Sequence, residues 1–372
     1  VVVAFLVGAA AGGAVFGWLG DRFGRVRAMT WSVLAYSIFS GLCGLAQNVE
    51  QLVALRFLSA LGMGGEWSLG VALVMEVWPA EKRWLLAGII GAAANIGIAL
   101  IAWAGLYVSH LGSGLSALGL SDEWVQKLTA NGGWRLLMML GAAPALLTFF
   151  IRLFVPESEK WKHASQNSAP VRIGDIFRNG NGRLTALATV LAGVALLGTW
   201  GSVQNLPTIA AEMTKGTDPT ARSITQIWSA LGSVAGCLVA GWMAHLLNRR
   251  LTYFVMALGS LILSAWIFRG SHDYNAGFLV LTFTVGAITA GFYGWLPLYL
   301  PELFPTRLRA TAQGFAFNAG RLLTAAGVLI IGHLMIDPRS LAPTCAVISL
   351  VYIVGMVVIW FCPETKGRPL PE

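Results

Sequence analysis

Charge is scarce in this chain. Asp, Glu, Lys and Arg make up 11% of its 372 residues, less than half of the roughly 25% found in an ordinary soluble domain. Only five histidines and four cysteines are present, and Cys43, Cys237, Cys345 and Cys362 stand singly in apolar segments without metal-ligand spacing. Buried, inert thiols are expected. No glycine loop that cradles phosphate follows a strand pattern, and no serine or cysteine has a base beside it. No metal or cofactor is implied, and the chain is not expected to be an enzyme. Its longest polar stretch, about thirty residues, is too short to fold as a nucleotide-driven motor domain.

What is abundant is apolar surface and glycine. Hydrophobic residues reach 56%, and there are 44 glycines, a density that suits helices packing closely in lipid. The net charge of +8 invites a nucleic-acid reading, but the basic residues lie along short connections and form no basic face. They read as topology signals. Eleven apolar segments are long enough to span, at 1–19, 28–46, 51–77, 84–109, 133–155, 184–206, 223–247, 251–268, 276–300, 308–332 and 341–362. If the 17–29 connection is cytoplasmic, most Lys and Arg fall inside. The exceptions are Lys127, Arg135, Lys215, Arg222, Arg269 and Arg339 outside, with Arg56 and Arg321 within spans. The first residue, Val1, already belongs to an apolar run with no signal-peptide pattern.

The chain repeats itself. Glu76, Pro79, Arg83 and Gly88 recur as Glu302, Pro305, Arg309 and Gly314; Gly17-Trp18 and Arg25 recur as Gly241-Trp242 and Arg249; Pro156-Glu157-Ser158 returns as Pro363-Glu364-Thr365. A duplicated bundle of spans is the body plan of secondary transporters, with the substrate site between the halves. The expected organisation is a first half at 1–155, a basic cytoplasmic connection at 156–183, and a second half with a short tail at 184–372. Five spans precede the connection and six follow it. The repeat offset places the partner of 184–206 upstream of Val1, so a twelve-span parent whose first span is missing here is expected. The 110–132 connection, with Gly112-Ser113-Gly114, is longer than the repeat requires; its Trp124-to-Leu128 patch reads either as an interfacial helix or as a solvated loop.

The first cytoplasmic connection runs Gly17-Trp18-Leu19-Gly20-Asp21-Arg22-Phe23-Gly24-Arg25-Val26-Arg27. Glycine supplies the tight reversal, Asp21 suits a helix N-terminus or an arginine, and Arg22, Arg25 and Arg27 hold the loop at the inner surface. The bland alternative is a merely topological basic loop. This pattern resembles the signature loop of the major facilitator superfamily. Arg56 to Glu66, Pro156-Glu157-Ser158 and Pro363-Glu364-Thr365-Lys366-Gly367 resemble its sugar and organic-acid porters. Gly64-Gly65-Glu66-Trp67, Trp295-Leu296-Pro297-Leu298-Tyr299 and Phe317-Asn318-Ala319-Gly320-Arg321 look most like its metabolite:proton symporters, which include carriers of sialic acid, aromatic acids and short carboxylates. The resemblance implies an all-α membrane fold of two pseudo-symmetric six-helix halves working by alternating access. It also implies that Glu76 with Arg83, and Glu302 with Arg309, form gating networks at the inner ends of paired spans. The second loop departs from the pattern, with His245 in place of Asp21 and Asn248 in place of Gly24, so its latch should be weaker.

An ionisable group at bilayer depth costs roughly 3 kcal/mol or more, which makes it a functional candidate by default. Glu66 lies beneath the glycine run 62–65, where an ionised carboxylate is costly and reversible proton carriage is plausible; a structural acid bonded to a neighbouring helix is the alternative. Arg321, near mid-span with Asn318 a turn away, suits a bidentate grip on a carboxylate, or an ion pair with another span. Its repeat partner is Asn95. Arg56 lies near the outer end of its span, either snorkelling or assisting proton transfer. Trp200, Gln204 and Asn205 precede Pro207, and Tyr293 and Trp295 flank Gly294 before Pro297. These suit a cavity lined by bending helices, or else belong to helix packing and the aromatic belt.

Import of a small organic anion, or a sugar-like metabolite, with protons by alternating access is therefore expected, by a monomeric multi-pass inner-membrane protein whose partners are substrate, protons and the lipid bilayer, with no nucleic acid. A proton-independent sugar uniporter, a drug or metabolite exporter, and a non-transporting sensor are the alternatives.

Overall fold

The computed structural model describes residues 1–107, 114–117, 119–166, 171–178, 180–215, 217–270, 273–334 and 341–371. Gly112, Ser113 and Arg339 lie outside them. The described residues are helical, with no strand. In the first half the helices are α1 (Val2–Phe23), α2 (Arg25–Cys43), α3 (Val49–Val77), α4 (Arg83–Leu106), α5 (Asp122–Leu140) and α6 (Leu147–Phe154). A short α7 (Glu159–Gln166) lies in the connection. The second half holds α8 (Asn181–Trp200), α9 (Leu206–Met213), α10 (Ala221–Leu246), α11 (Arg249–Gly270), α12 (Ala276–Leu303), α13 (Arg309–Leu334), α14 (Leu341–Ile348) and α15 (Val351–Val358).

Among the described residues eight helical segments are long and apolar enough to cross a membrane: Val2–Phe23, Val49–Val77, Ala80–Leu106, Asn181–Met213, Ala221–Leu246, Arg249–Gly270, Ala276–Leu303 and Leu341–Phe361. The remaining expected segments, 28–46, 133–155 and 308–332, coincide with α2, with α5 and α6, and with α13. Eight helical segments thus meet the length and apolarity of a crossing among the described residues, not the full eleven. The 133–155 segment is broken by a 3-10 turn at Ala143–Leu146 that carries Pro144. Trp124 to Leu128 falls within α5.

The same local chemistry sets helix ends in both halves. Asn48 accepts the Gln51 N–H at 2.8 Å to start α3, and Asn275 accepts the Phe278 N–H at 3.0 Å to start α12. An asparagine in this position satisfies one of the orphan donors of the first turn. At the other end, Pro79 and Pro305 stop the two helices, because the residue before a proline is driven out of the helical region. Each is followed by one 3-10 turn, Ala80–Lys82 or Thr306–Leu308, and then by the next long helix.

Packing repeats as well. A Cβ on Gly8 or Gly12 of α1 would overlap the Phe57 or Leu61 carbonyl of α3; one on Gly232 or Gly236 of α10 would overlap the Phe283 or Ala287 carbonyl of α12. Small residues four apart let backbones touch, which is how helices associate in lipid without a hydrophobic drive. Between the halves, α1 packs on α13 and α4 on α10. Gly17 meets the Ala310 carbonyl, Gly88 the Cys237 carbonyl and Gly241 the Trp84 carbonyl. The described part of the connection touches both halves. The Trp18 indole donates to the Val171 carbonyl at 3.0 Å, Asp175 lies 3.8 Å from Arg307, and Phe177 packs edge-on against Phe315 at 5.4 Å.

Gly12→Leu and Gly236→Leu should each lower the melting temperature in detergent, by an overpacking cost of about 1–3 kcal/mol or more. Gly70→Ala and Gly97→Ala add a methyl that meets nothing, and should leave it unchanged or slightly raised. Equal melting temperatures for all four would contradict the backbone contacts.

Candidate functional site

The reversal between α1 and α2 turns on Gly24, whose φ of 110° lies where only glycine is unstrained. The turn delivers the first N–H groups of α2 to one carboxylate: Arg25 N donates to Glu157 at 2.9 Å and Val26 N at 3.1 Å. An anion at a helix N-terminus answers both the orphan donors and the helix dipole. Trp161 of α7 donates its indole N–H to the Asp21 carbonyl at 2.9 Å.

Asp21 itself caps a helix of the other half. It accepts the Thr311 N–H at 2.7 Å, the Thr311 hydroxyl at 2.5 Å and the Ala310 N–H at 3.3 Å, all at the start of α13. Arg25 pairs with Asp21, reaches Glu76 at 3.1 Å and donates to the Thr306 carbonyl at 3.0 Å. Glu76 takes Arg309 at 3.1 Å on the same oxygen. The side chains of Asp21, Arg25, Glu76 and Arg309 are all fully buried. Two acids and two arginines leave no net charge, the condition under which such burial is tolerated. This cluster locks α1, α2 and α3 to α13 on the basic side, the inner side by the positive-inside bias. Arg22 stays outside it, with its guanidinium over Trp18 at 5.1 Å and Phe23 at 5.4 Å.

The second copy keeps half of this design. Arg249 grips Glu302 bidentately at 3.0 and 2.7 Å, and Thr365 donates to the same carboxylate at 2.6 Å. Arg249 N and Arg250 N donate to Glu364 at 3.1 and 3.2 Å, as Arg25 and Val26 do to Glu157. Burial pushes the Glu364 carboxyl up, but the backbone N–H groups of Lys366, Arg249 and Arg250 outweigh it and hold the group below its ordinary value. Across the halves, however, His245 only stacks on Trp84 at 5.3 Å and 24°. Arg83 leaves a buried Nε without a hydrogen bond, feeling Glu302 and Glu81 only through space. Asn248 is spent on its own helix, accepting the Leu251 N–H at 2.7 Å.

Above the first latch the α3–α13 seam is closed by side chains. Gln313 donates to the Ser68 carbonyl at 2.6 Å and Asn318 to the Gly64 carbonyl at 3.1 Å. Trp67 lies face to face on Phe317, with centroids 3.9 Å apart and planes 12° apart. One turn farther, the Arg321 guanidinium sits 5.4 Å from the Phe317 centroid. Its Nη1 is buried with no hydrogen-bond partner, as is the Tyr293 hydroxyl nearby. No described carboxylate pairs with Arg321. Trp200, at the exposed end of α8, and Thr199 approach the Tyr293 hydroxyl.

Glu66 is half-buried on α3 and makes no hydrogen bond or ion pair to any described residue. It faces Tyr36 of α2, on a flank of α3 different from the one that carries Trp67. Arg56 rests on Phe5 at 4.8 Å and Met138 Sδ at 3.7 Å, near the opposite end of the helix. The structure therefore does not gather every residue that the sequence suggests. Asn318 is fully buried and also donates to Gly314 of its own helix at 2.8 Å, so its amide serves the seam. Trp295 is fully buried in the second half, donating to the Arg249 carbonyl at 3.1 Å and stacking on Tyr299. Asn95 donates to the Gly91 carbonyl at 2.9 Å and faces Cys237 Sγ at 3.7 Å in the α4–α10 contact. Asn205 turns back to the Gly201 carbonyl at 3.2 Å, while Gln204 beside it is half-buried without a hydrogen bond. Trp67, Phe317, Gln313 and Thr311 were not singled out from sequence. The one-turn spacing of Phe317 and Arg321 is the signal that would have found the ring.

A separate groove of about 690 Å³ lies at the outer ends of α11 and α12, lined by Trp266, Asp273, Phe278 and Thr284 among others. It contains none of the latch, seam or sequence-predicted site residues.

A sequence model of the Major Facilitator Superfamily matches residues 1–328. The cis,cis-muconate transport protein of Acinetobacter baylyi is 31% identical over 374 residues, covering 98% of this chain and 84% of that protein. The probable 4-methylmuconolactone transporter of Cupriavidus pinatubonensis is 30% identical over 370 residues, covering 97% and 80%. Among solved structures, the proton:xylose symporter XylE bound to 6-bromo-6-deoxy-D-glucose aligns with a TM-score of 0.76 at 19% identity, covering 99% of this chain and 86% of that one.

Glu76→Gln leaves Arg309 without a carboxylate and the buried cluster with one uncompensated positive charge, and should destabilise the protein by about 3–5 kcal/mol. Glu302→Gln should cost less, because the Arg249–Glu302 pair keeps some exposure to water whereas the first cluster has none. Thermal unfolding in detergent reads both, and the reverse order would contradict the asymmetry of the latches. The depressed Glu364 adds stability that is complete above its unfolded value of about 4.3. That stability is lost as pH falls through the lower folded value. Glu364→Gln should therefore flatten the acid limb of the melting-temperature profile.

Proposed function

The chain belongs to the Major Facilitator Superfamily and is a multi-pass transporter of the inner membrane; from that premise we propose that it imports a small organic anion together with protons. Two halves, 1–155 and 184–372, joined by 156–183, rock about a midplane site as a monomer with eleven crossings. Arg321 grips the anion and Glu66 carries the proton. Arg56 assists at the outer end, and Tyr293, Trp200 and Gln204 line the path. Asn318, Asn95 and Trp295 keep a part in substrate binding only if the seams that now hold them open.

The observation that carries this reading is Arg321, a guanidinium at bilayer depth with a buried, unpartnered Nη1 and no described carboxylate to answer it. Such a charge is held at high cost unless a ligand completes it. A carboxylate fits its fork with two parallel bonds. Glu66, equally unpaired, is free to gain and lose a proton as the halves move. With anion and proton both aboard, little net charge crosses the bilayer. The relative named as a cis,cis-muconate transport protein supports an organic anion as cargo. A neutral sugar is the second reading, favoured by the unbonded Gln204 amide and by the fold shared with a proton:xylose symporter.

Proteoliposomes with labelled cis,cis-muconate, nicotinate and xylose, with and without an inward proton gradient, separate the two. Anion accumulation abolished by a protonophore is expected; gradient-independent equilibration of xylose would overturn the reading. Arg321→Lys should raise KM about tenfold or more, since a charged hydrogen bond is worth about 1.5–3 kcal/mol. Glu66→Gln should abolish accumulation while leaving anion exchange.

A further inference from the structure

Three side chains form a column across the boundary between the halves. Trp67 of α3 lies flat on Phe317 of α13 at 3.9 Å, and the Arg321 guanidinium rests 5.4 Å from the same ring. Phe317 is one helical turn nearer the inner latch than Arg321, so the ring pair lies between the guanidinium and the Asp21–Arg25–Glu76–Arg309 cluster. The chain cannot open a path from Arg321 to the inner side along this seam without parting Trp67 from Phe317.

We propose that Trp67 and Phe317 are the positioning pair that makes anion occupancy at Arg321 and proton occupancy at Glu66 conditional on each other. The inference rests on the roles given to Arg321 and Glu66 above. Without an anion, the guanidinium is held against the ring face by the attraction of a cation for a π system. A carboxylate draws it into two parallel hydrogen bonds and off Phe317. The ring loses one of its two partners and keeps its stack on Trp67, which joins α3 to α13 beside the Gln313 and Asn318 amides and the Ser68–Gly314 contact. Trp67 follows Glu66 directly in the chain, about 100° around the helix. Any shift of α3 that frees Trp67 therefore moves Glu66 against α2. The titratable group of α2 facing Glu66 is Tyr36; α1 presents glycine, alanine and Phe16 to this stretch of α3, and its Asp21 is in the latch; α13 presents Phe317 to Trp67, and Arg321 has no direct interaction with Glu66. No other described charge stands between the two sites.

The test uses the full chain in proteoliposomes with labelled cis,cis-muconate. Gradient-driven accumulation and exchange at equal pH are measured for wild type, Phe317→Leu, Phe317→Tyr and Trp67→Phe. Phe317→Leu removes the π face but keeps an apolar side chain of similar bulk. Its ratio of accumulation to exchange should fall about fivefold or more, the worth of one aromatic contact of about 1 kcal/mol. Phe317→Tyr should restore the ratio, and Trp67→Phe should fall between. A merely structural ring would lower both fluxes together and leave the ratio alone; that result overturns the inference. If Phe317→Leu does not fold, an unchanged ratio in Trp67→Phe overturns it equally. Wild type that accumulates no muconate with the gradient overturns the organic-anion reading, and this inference with it.

Discussion

Four buried charges govern the arrangement of everything else. Asp21, Arg25, Glu76 and Arg309 are all withdrawn from water and lie on both sides of the boundary between halves. Removing even one ion from water costs several kcal/mol after relaxation, so the cluster persists only with every partner in place. That condition fixes α1 against α13, and with it the level at which Gln313, Phe317 and Arg321 meet α3. The seam above the cluster is tight because the cluster holds it shut.

The two halves share a plan without sharing its strength. Both use a carboxylate to receive the first N–H groups of a helix, and both pair an arginine with a glutamate at the inner end of a proline-stopped helix. Only the first continues across the boundary with ionic hydrogen bonds. At the equivalent place in the second, an imidazole lies on an indole. The two halves are thus fastened unequally, by an ionic cluster at one seam and by a ring stack at the other.

The latch was legible in the sequence because its chemistry is positional. Glutamate, proline, arginine and glycine at fixed spacing, twice, mark a helix end and a turn, and the structure has both; the charges pair otherwise than the spacing suggests, Glu76 with Arg25 and Arg309, Glu302 with Arg249, and Arg83 with neither glutamate in an ion pair. The site was less legible. Asn318 and Trp295 look like cavity residues because polar and aromatic groups in apolar helices invite that reading. In lipid, though, an amide or indole N–H finds a carbonyl wherever it can, and theirs lie in Gly64 and Arg249. Trp67 and Phe317 stand in motifs the sequence shows, but their pairing across the seam was not legible, since only the one-turn spacing of Phe317 and Arg321 marks the ring. The count of crossings was blurred where a segment is broken, as at the Pro144 turn.

The latch also constrains how the protein is made. Its first three members lie in the first half, but Arg309 comes 233 residues after Glu76, and chains are synthesised from the N-terminus. Through that interval the nascent first half holds two carboxylates for a single arginine. Burying an uncompensated carboxylate is forbidding. The inner ends of α1 and α3 must therefore stay hydrated, or be shielded by the insertion machinery, until α13 arrives. The charge balance of the cluster is thus completed from the C-terminal side, only when Arg309 has been made.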